Sequence, residues 1–158
     1  EILRCLVGSE MCIRDREKDS LSMWNRIRKE LDERGYGLYA VELKHSGSLI
    51  GLLGFHWADF EADFTPCVEI GWRLVPEAWV CGYATEGARA CLKHGFARFG
   101  FDRVYSFTAC VNFPSQAVMQ RVGMRKIAEF NHPKVAPDSI LYPHVLYVKD
   151  TFRKIERE

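Results

Sequence analysis

The chain has 158 residues, of which 47% are hydrophobic and 27% charged, and its formal net charge is +1. This length suits one domain with a hydrophobic core. A charge so near zero gives no electrostatic reason to bind nucleic acid or a membrane surface. No apolar run approaches the ~20 residues that a membrane span needs, and the short segment 1–7 lacks the cleavage site of a signal peptide.

The six cysteines form neither a C-x-x-C pair nor a close cluster with histidine. Scattered cysteines in a chain of this size are typical of free thiols in the reducing cytoplasm rather than of a disulfide framework. We therefore expect a cytoplasmic protein without a metal site. Free thiols are predicted at Cys5, Cys12, Cys67, Cys81, Cys91 and Cys110.

The first 16 residues, EILRCLVGSEMCIRDR, hold neither the helical nor the strand period for long. The pattern becomes regular from Ser20 onward, so we divide the chain into an atypical segment, 1–16, and a single domain, 17–158. The domain opens with a predicted helix that Gly35 can end in the left-handed region. The apolar face of this helix consists of Leu21, Trp24, Ile27 and Leu31.

Three strands are predicted next. A hairpin is predicted from the strands GLYAVELK and LIGLLGFHW, which flank the turn HSGS. After the loop ADFEADFTP, CVEIGWRLV reads as a third strand that Pro76 stops.

The second half of the chain alternates helices with strands. A helix ends at Gly100 and is followed by the strand RVYSFTACV, a short helix in NFPSQAVMQRVG, and the closing strands MRKIAEF and HVLYVKD. The apolar stripe of the first of these helices is Ala84, Ala88, Cys91, Leu92, Gly95, Phe96 and Phe99. This pattern predicts one mixed α/β (α+β) domain.

The stretch PEAWVCGYATEGARA, residues 76–90, joins the third strand to that helix through a compact, almost uncharged turn. Gly82 permits a positive φ and a close backbone approach, and Ala84 is too small to block a ligand. The N–H groups from Val80 to Thr85 could then meet one anion at the start of the helix. The alternative is a plain turn in which Gly82 serves only the backbone; neither a P-loop nor a dinucleotide-binding motif is present.

These residues carry a resemblance to a known family. The chain resembles the GNAT acetyltransferase superfamily, and in particular the branch typified by the RimJ/RimL protein N-terminal acetyltransferases. The resemblance lies in the stretch VEIGWRLVPEAWVCGYATEGARACL and in the later stretch SFTACVNFPSQAVMQRVGM. The resemblance implies the GNAT fold: a mixed, mostly antiparallel central sheet with helices on both faces and a splayed parallel strand pair at an acetyl-CoA groove. It also implies that the turn cradles the cofactor diphosphate, with cofactor contacts from Trp79, Val80, Cys81, Gly82, Tyr83, Ala84 and Thr85.

The sequence departs from the family pattern in two places. The family turn usually reads W-G-K-G-Y-A or W-G-R-G-Y-A, whereas Val80 and Cys81 replace the glycine and the base here. The turn thus lacks a cation and has a β-branched residue where φ is expected to be positive. Family members also begin with a further strand and helix. The string CLVGSEMCIRDR resembles read-through sequence instead, which predicts a truncated chain with part of the acceptor-site wall missing.

Acetyl transfer to an amine requires a base, donors for the developing oxyanion and an oriented thioester. Glu69 is the candidate base, because it lies in mid-strand beside the expected groove; the alternative is a half-exposed glutamate paired with Arg73. By resemblance, the backbone of Leu74 and Val75 would meet the pantetheine arm and the acyl oxygen.

Two residues at the start of the short second helix have roles implied by the resemblance. Asn112 would bond the pantetheine amide, with a helix N-cap as the strong alternative. Ser115 lies where this branch places a hydroxyl near the cofactor sulfur, as a general acid. His144 is assigned to the acceptor site, whereas His56, His94 and His132 are expected at the surface or in loops. We expect packing roles for Trp24, Trp57, Trp72 and Trp79. Arg121 is expected to lie on a solvated helix face.

The resulting hypothesis is an acetyl-CoA-dependent N-acetyltransferase that acts by direct transfer in a ternary complex on a small-molecule amine or a protein N-terminus. Its rivals are a non-catalytic acyl-CoA-binding or protein-interaction domain and, less favoured, a nucleotide-binding regulatory domain. An unpaired edge of the strand at 38–43 predicts lower stability or self-association, including a homodimer. The segment ILRCLV would at most pair weakly with that edge.

Overall fold

The computed structural model describes residues 17–151. The elements of this range, in chain order, are α1 (Glu17–Arg34), β1 (Leu38–Glu42), β2 (Leu49–Ala58), β3 (Cys67–Leu74), a 3₁₀ turn (Pro76–Ala78), α2 (Tyr83–Arg98), β4 (Arg103–Ala109), α3 (Phe113–Arg121), β5 (Arg125–Asn131) and β6 (Pro143–Asp150). Each of the predicted helices and strands is present, with ends that differ from the expected ones by a few residues.

The six strands form a single sheet in the order β1-β2-β3-β4-β6-β5. Neighbouring strands run antiparallel except for β3 and β4, which run parallel. A parallel pair requires a crossover connection, and α2 provides it. The predicted fold class, a mixed and mostly antiparallel sheet with one parallel pair, is therefore confirmed.

Helix α2 packs closely on one face of the sheet because two of its residues have no side chain. A Cβ added at Gly87 would come within 2.7 Å of Leu53, and one added at Gly95 within 2.6 Å of Phe55. Both partners lie on β2, and Phe55 is completely buried. The predicted apolar stripe of α2 faces this contact, with Ala88 and Leu92 buried.

Helix α1 lies on the opposite face, and its predicted apolar side is only partly covered. Ile27 is 4% exposed, whereas Leu21 and Trp24 are 62% and 56% exposed. Gly35 ends the helix at a φ of 74° and donates its N–H to the carbonyl of Leu31, as predicted. Packing on the sheet therefore concentrates in the C-terminal half of α1, and helices occupy both faces as expected.

Strands β3 and β4 pair at one register position and then separate. Glu69 lies opposite Tyr105 in the parallel ladder. Beyond this pair, the buried hydroxyl of Ser106 donates a 2.8 Å hydrogen bond to the carbonyl of Ile70, in place of a backbone donor. The central sheet therefore opens between the two strands, toward the C-terminal ends of both.

Some expectations fall on residues 1–16, including the atypical segment, the pairing of ILRCLV and the thiols of Cys5 and Cys12. They lie outside the described residues. The four cysteines within 17–151 are free thiols. In that same range, no helix combines the length and apolar character needed to cross a membrane, and no three metal-ligating side chains cluster.

Candidate functional site

A groove of about 330 Å³ lies on the α1 face of the sheet, where β3 and β4 separate. Glu69 and Arg73 of β3 line it, together with Asn112 and Ser115 from the start of α3. Residues about 45 positions apart in the sequence thus meet because the parallel strands end at the same edge. The turn at 79–85 lies outside this lining, at the N-terminal end of α2.

Glu69 is the residue whose ionisation the groove changes most. Burial raises its pKa to about 8, the charge of Arg73 lowers it, and the nearby carboxylate of Glu30 raises it further. A carboxyl group with a pKa near neutrality can exchange a proton in either direction at physiological pH. Its environment is therefore that of an acid–base group rather than of a solvated surface glutamate.

The expected alternative, an ion pair between Glu69 and Arg73, has no close contact in the described part of the chain. The Arg73 guanidinium donates instead to the sulfur of Met23 on α1, with an Nη1–Sδ distance of 3.3 Å. Arg73 acts on Glu69 only through its charge. The carboxyl group of Glu69 consequently remains open to the groove.

The backbone at the end of β3 is mostly occupied. Val75 donates its N–H to the carbonyl of Ile50 and accepts from the N–H of Ala78, at 2.9 and 3.0 Å. The carbonyl of Leu74 accepts from the indole Nε1–H of Trp79 at 2.9 Å. Since hydrogen bonding alternates along a strand, the N–H of Leu74 points away from β2 and into the opening.

The turn before α2 presents a run of backbone N–H groups. Gly82 is the N-cap of the helix at a φ of 85°, and no side chain accepts a hydrogen bond there. The first N–H groups of α2, from Tyr83 to Thr85, have no acceptor within the helix because the earliest intrahelical donor is Glu86, which bonds to Gly82. This arrangement suits an anion.

Two residues of this turn are unfavourable for an anion-binding loop: Val80 in its backbone conformation and Cys81 in its lack of charge. Val80 has a φ of 53°, which is rare for a β-branched residue, and its side chain is fully exposed. The exposed thiol of Cys81 follows it. The positive φ expected at Val80 from the family pattern is therefore present.

Asn112 is the N-cap of α3, in agreement with the structural alternative for this residue. Its Oδ1 accepts from the backbone N–H of Ser115 at 3.3 Å, and its Nδ2 donates to Thr108 at 2.9 Å. The second hydrogen of Nδ2 and the hydroxyl of Ser115 are not used by these contacts. Asn112 thus positions the start of α3 while both residues line the groove.

His56 is a groove residue that the sequence analysis assigned to the surface. It lies directly across from Glu69 in the antiparallel pairing of β2 and β3. Its Nδ1 is 2.8–2.9 Å from the carboxylate of Glu30 on α1. A histidine on the strand next to a candidate base can indicate a further groove residue. The sequence alone does not show that the two residues are adjacent, because this depends on the register of β2 and β3.

A pair of histidines also lines the groove. His132 and His144 have ring centroids 4.9 Å apart and contact Phe60, Phe107 and Phe130. Burial, the neighbouring His144 and the charge of Lys134 lower the pKa of His132 to about 4, and burial lowers that of His144. His132 lies in the loop after β5, one of the two positions expected for it, and both imidazoles are neutral near pH 7.

The site thus combines an open parallel strand pair, a helix start without a side-chain cap and a partly buried glutamate. A family model described as an acetyltransferase (GNAT) domain matches residues 9–125. The chain belongs to the GNAT acetyltransferase family.

A curated relative is YkkB of Bacillus subtilis, an uncharacterized protein that is 32% identical over 115 residues. The match covers 70% of this chain and 63% of YkkB. The chain therefore spans less than two thirds of the length of this relative.

Solved structures show the same fold. A putative GNAT-family acetyltransferase from Bordetella pertussis superposes with a TM-score of 0.78 at 23% identity, covering 94% of this chain and 85% of that chain. The RimL ribosomal-protein acetyltransferase in complex with coenzyme A superposes with a TM-score of 0.69 at 18% identity, covering 89% and 75%. At these identities the likeness is one of GNAT architecture.

Proposed function

We propose that this protein is an acetyl-CoA-dependent N-acetyltransferase that transfers the acetyl group directly to a primary amine in a ternary complex. The observation that carries the proposal is Glu69, a carboxyl group with a pKa of about 8 at the point where β3 and β4 separate. An amine nucleophile must lose a proton, and a base with a pKa near the working pH suits that step.

The turn from Trp79 to Thr85 would hold the diphosphate of the cofactor. The uncapped N–H groups at the start of α2 and the helix dipole both favour an anion there. The exposed Val80 and Cys81 would face solvent or the phosphates, and Ala84 leaves room for them. The opening between the strands would then lead the pantetheine arm to the groove on the other face.

Bound acetyl-CoA supplies the activated acyl group as a thioester. Glu69 takes the proton of the amine, directly or through a water molecule, and the inward N–H of Leu74 donates to the acyl oxygen. Asn112 has one amide hydrogen left for the pantetheine, whereas Val75 contributes through its position because its backbone groups are already bonded. Ser115 would give its hydroxyl proton to the departing thiolate and take one back from water.

The acceptor would be a small-molecule amine or a protein N-terminus, and the likeness to RimL supports membership of the RimJ/RimL-like branch. The four free thiols fit a reducing compartment such as the cytoplasm. Self-association as a homodimer belongs to the same proposal and would be measured by light scattering.

The proposal is tested by incubating the chain with acetyl-CoA and a panel of primary amines and N-terminal peptides while following release of the free thiol. Calorimetry with coenzyme A measures binding separately. Amine-dependent thiol release that Glu69→Gln slows supports the proposal. Tight cofactor binding without turnover on any acceptor contradicts it.

That last outcome would favour a second candidate, a non-catalytic acyl-CoA-binding domain. The strained Val80 and the absence of a cation at Cys81 are the observations that favour it. Both candidates predict binding of coenzyme A, but only the enzyme predicts acetyl transfer. The thiol-release assay and the calorimetry together therefore distinguish them.

A further inference from the structure

Glu30 and His56 form a partly buried hydrogen-bonded pair that the catalytic groups above do not include. The Nδ1 atom of His56 lies 2.8 and 2.9 Å from the two carboxylate oxygens of Glu30. One of those oxygens also accepts the backbone N–H of Trp57 at 3.0 Å. Glu30 therefore fixes both the ring and the strand that carries it.

This contact determines which ring nitrogen of His56 can act as a base. A carboxylate only accepts hydrogen bonds, so Nδ1 carries the hydrogen, and in the neutral imidazole the lone pair then lies on Nε2. The Glu30 side chain is 13% exposed and that of His56 is 34% exposed. The anchor is thus inside the protein, while the imidazole reaches solvent.

The imidazole of His56 shares a sheet face with the candidate base. His56 and Glu69 are directly opposite residues of neighbouring antiparallel strands, and such side chains lie side by side. Both line the groove, as do Glu30, Arg26, Asp59 and Arg73, which are the other charged groups around the pair.

We propose that His56, held by Glu30, is a proton acceptor for the transfer reaction and carries the proton from Glu69 to solvent. This inference rests on the proposed N-acetyltransferase function. The amine nitrogen would form its bond to the acyl carbon as the carbon–sulfur bond of the thioester breaks, and it would give its proton to the carboxylate of Glu69. The leaving thiolate would take its proton from the hydroxyl of Ser115. The carboxylic acid then passes that proton to Nε2 of His56, which releases it to water and restores both groups.

Glu30 acts through His56 and is a positioning residue. Its replacement Glu30→Gln keeps an oxygen for the Trp57 N–H but turns an amide N–H toward Nδ1 of His56. The imidazole then carries its hydrogen on Nε2 and cannot accept a proton there. We expect kcat to fall roughly 10- to 100-fold, with an unchanged KM for acetyl-CoA. The matched control is Glu33→Gln, an exposed glutamate on the same helix.

Nitrogen NMR of the imidazole reports the same change without turnover. The parent should show His56 with its hydrogen on Nδ1, and Glu30→Gln should show it on Nε2. A parent spectrum with the hydrogen on Nε2 would overturn the proposal, because that nitrogen would then be unable to accept.

Chemical rescue separates proton transfer from a packing role. His56→Gln should lower kcat by a similar factor, and added imidazole should restore part of the lost rate because the site is open to solvent. The control His45→Gln removes an exposed histidine from the β1–β2 turn. A parental rate in His56→Gln, or a loss that imidazole leaves unchanged, refutes the relay.

The parent chain distinguishes this inference from the function on which it rests. If the parent transfers acetyl groups and both variants match it, the relay is wrong and the N-acetyltransferase proposal stands. If the parent binds coenzyme A but acetylates no amine, both are wrong.

Discussion

The hydroxyl of Ser106 donates a hydrogen bond to the carbonyl of Ile70 at 2.8 Å, across the two parallel strands of the sheet. A side chain thus replaces the backbone donor that a continued ladder would supply. Because the buried carbonyl is satisfied locally, the strands can separate after Glu69 and Tyr105 without leaving an unpaired acceptor. The opening is consequently a stable part of the fold.

The rate of acetyl transfer should rise with pH through the ionisation of Glu69. A general base acts in its deprotonated form, and the pKa of this carboxyl group is about 8. We expect kcat/KM to increase up to about pH 8 and then level off. Glu69→Gln should lower kcat by roughly 10²- to 10⁴-fold and abolish this acidic limb, with coenzyme A affinity unchanged by calorimetry.

A parental rate in Glu69→Gln would exclude Glu69 as the base. The control Glu61→Gln, in the exposed loop after β2, should retain both the rate and the limb.

Stability should also depend on the charge of Glu69. Its pKa is higher in the folded than in the unfolded chain, so its contribution is greatest at low pH and is lost as pH rises through about 8. Glutamine does not ionise, so the stability of Glu69→Gln does not fall in this way as the pH rises. The melting temperature of the variant relative to the parent should therefore be higher at pH 9 than at pH 5. An equal difference at both pH values would show that the carboxyl group is not withdrawn from water.

Gly82→Val should weaken coenzyme A binding by at least about tenfold, since the left-handed conformation of the turn disfavours a side chain. The control is Gly47→Val. Both glycines have a positive φ, 85° and 68°, and a Cβ built on either meets no described atom within 4 Å. The two variants should lose similar stability, but Gly47→Val should bind like the parent. Equal binding by both would make the turn at Gly82 purely structural.

Val80→Gly should stabilise the fold. A β-branched residue at a φ of 53° is strained, and relief of that strain, less the backbone entropy of glycine, should amount to about 1 kcal/mol. Chemical denaturation measures the difference. Val41→Gly, in the regular strand β1, should instead destabilise the protein. A destabilised Val80→Gly would indicate contacts that favour the valine.

Cys81→Arg should tighten coenzyme A binding by roughly 0.5–2 kcal/mol, because the exposed side chain adjoins the uncapped helix start. The gain should shrink at high salt. Ser46→Arg, in the exposed β1–β2 turn, adds the same charge outside the turn before α2 and should leave affinity near the parental value. An unchanged affinity of Cys81→Arg at low salt would show that position 81 points away from the phosphates.

The elements of the fold could be predicted because their signals are local. Gly35, Gly100 and Gly123 end helices in the sequence and all have positive φ values in the structure. Asn112 was a cap candidate from residue type and position, and it is the cap. The exposure of Leu21 and Trp24 was not foreseeable, because helical periodicity gives the direction of an apolar face and not the length over which the sheet covers it.

The site was predictable only where the chemistry lay within one segment. Glu69 was singled out from its place in mid-strand, and the roles of Asn112 and Ser115 were implied by the GNAT resemblance; all three line the groove, and their roles remain predictions. Glu30 and His56 are 26 residues apart in the sequence, and their contact depends on how far α1 is rotated over β2. Composition and spacing carry no information on that angle.

The two glycines that seat α2 on the sheet also bear on ligand dimensions. Gly87 and Gly95 bring the helix as near to Leu53 and Phe55 as van der Waals contact allows. A coenzyme anchored at the N-terminal end of this helix has a fixed length between its diphosphate and its sulfur. For the coenzyme site proposed at the start of α2, the thickness of the helix–sheet layer would set how far the sulfur extends past the strands, and a single methyl group at Gly87 would shorten that reach.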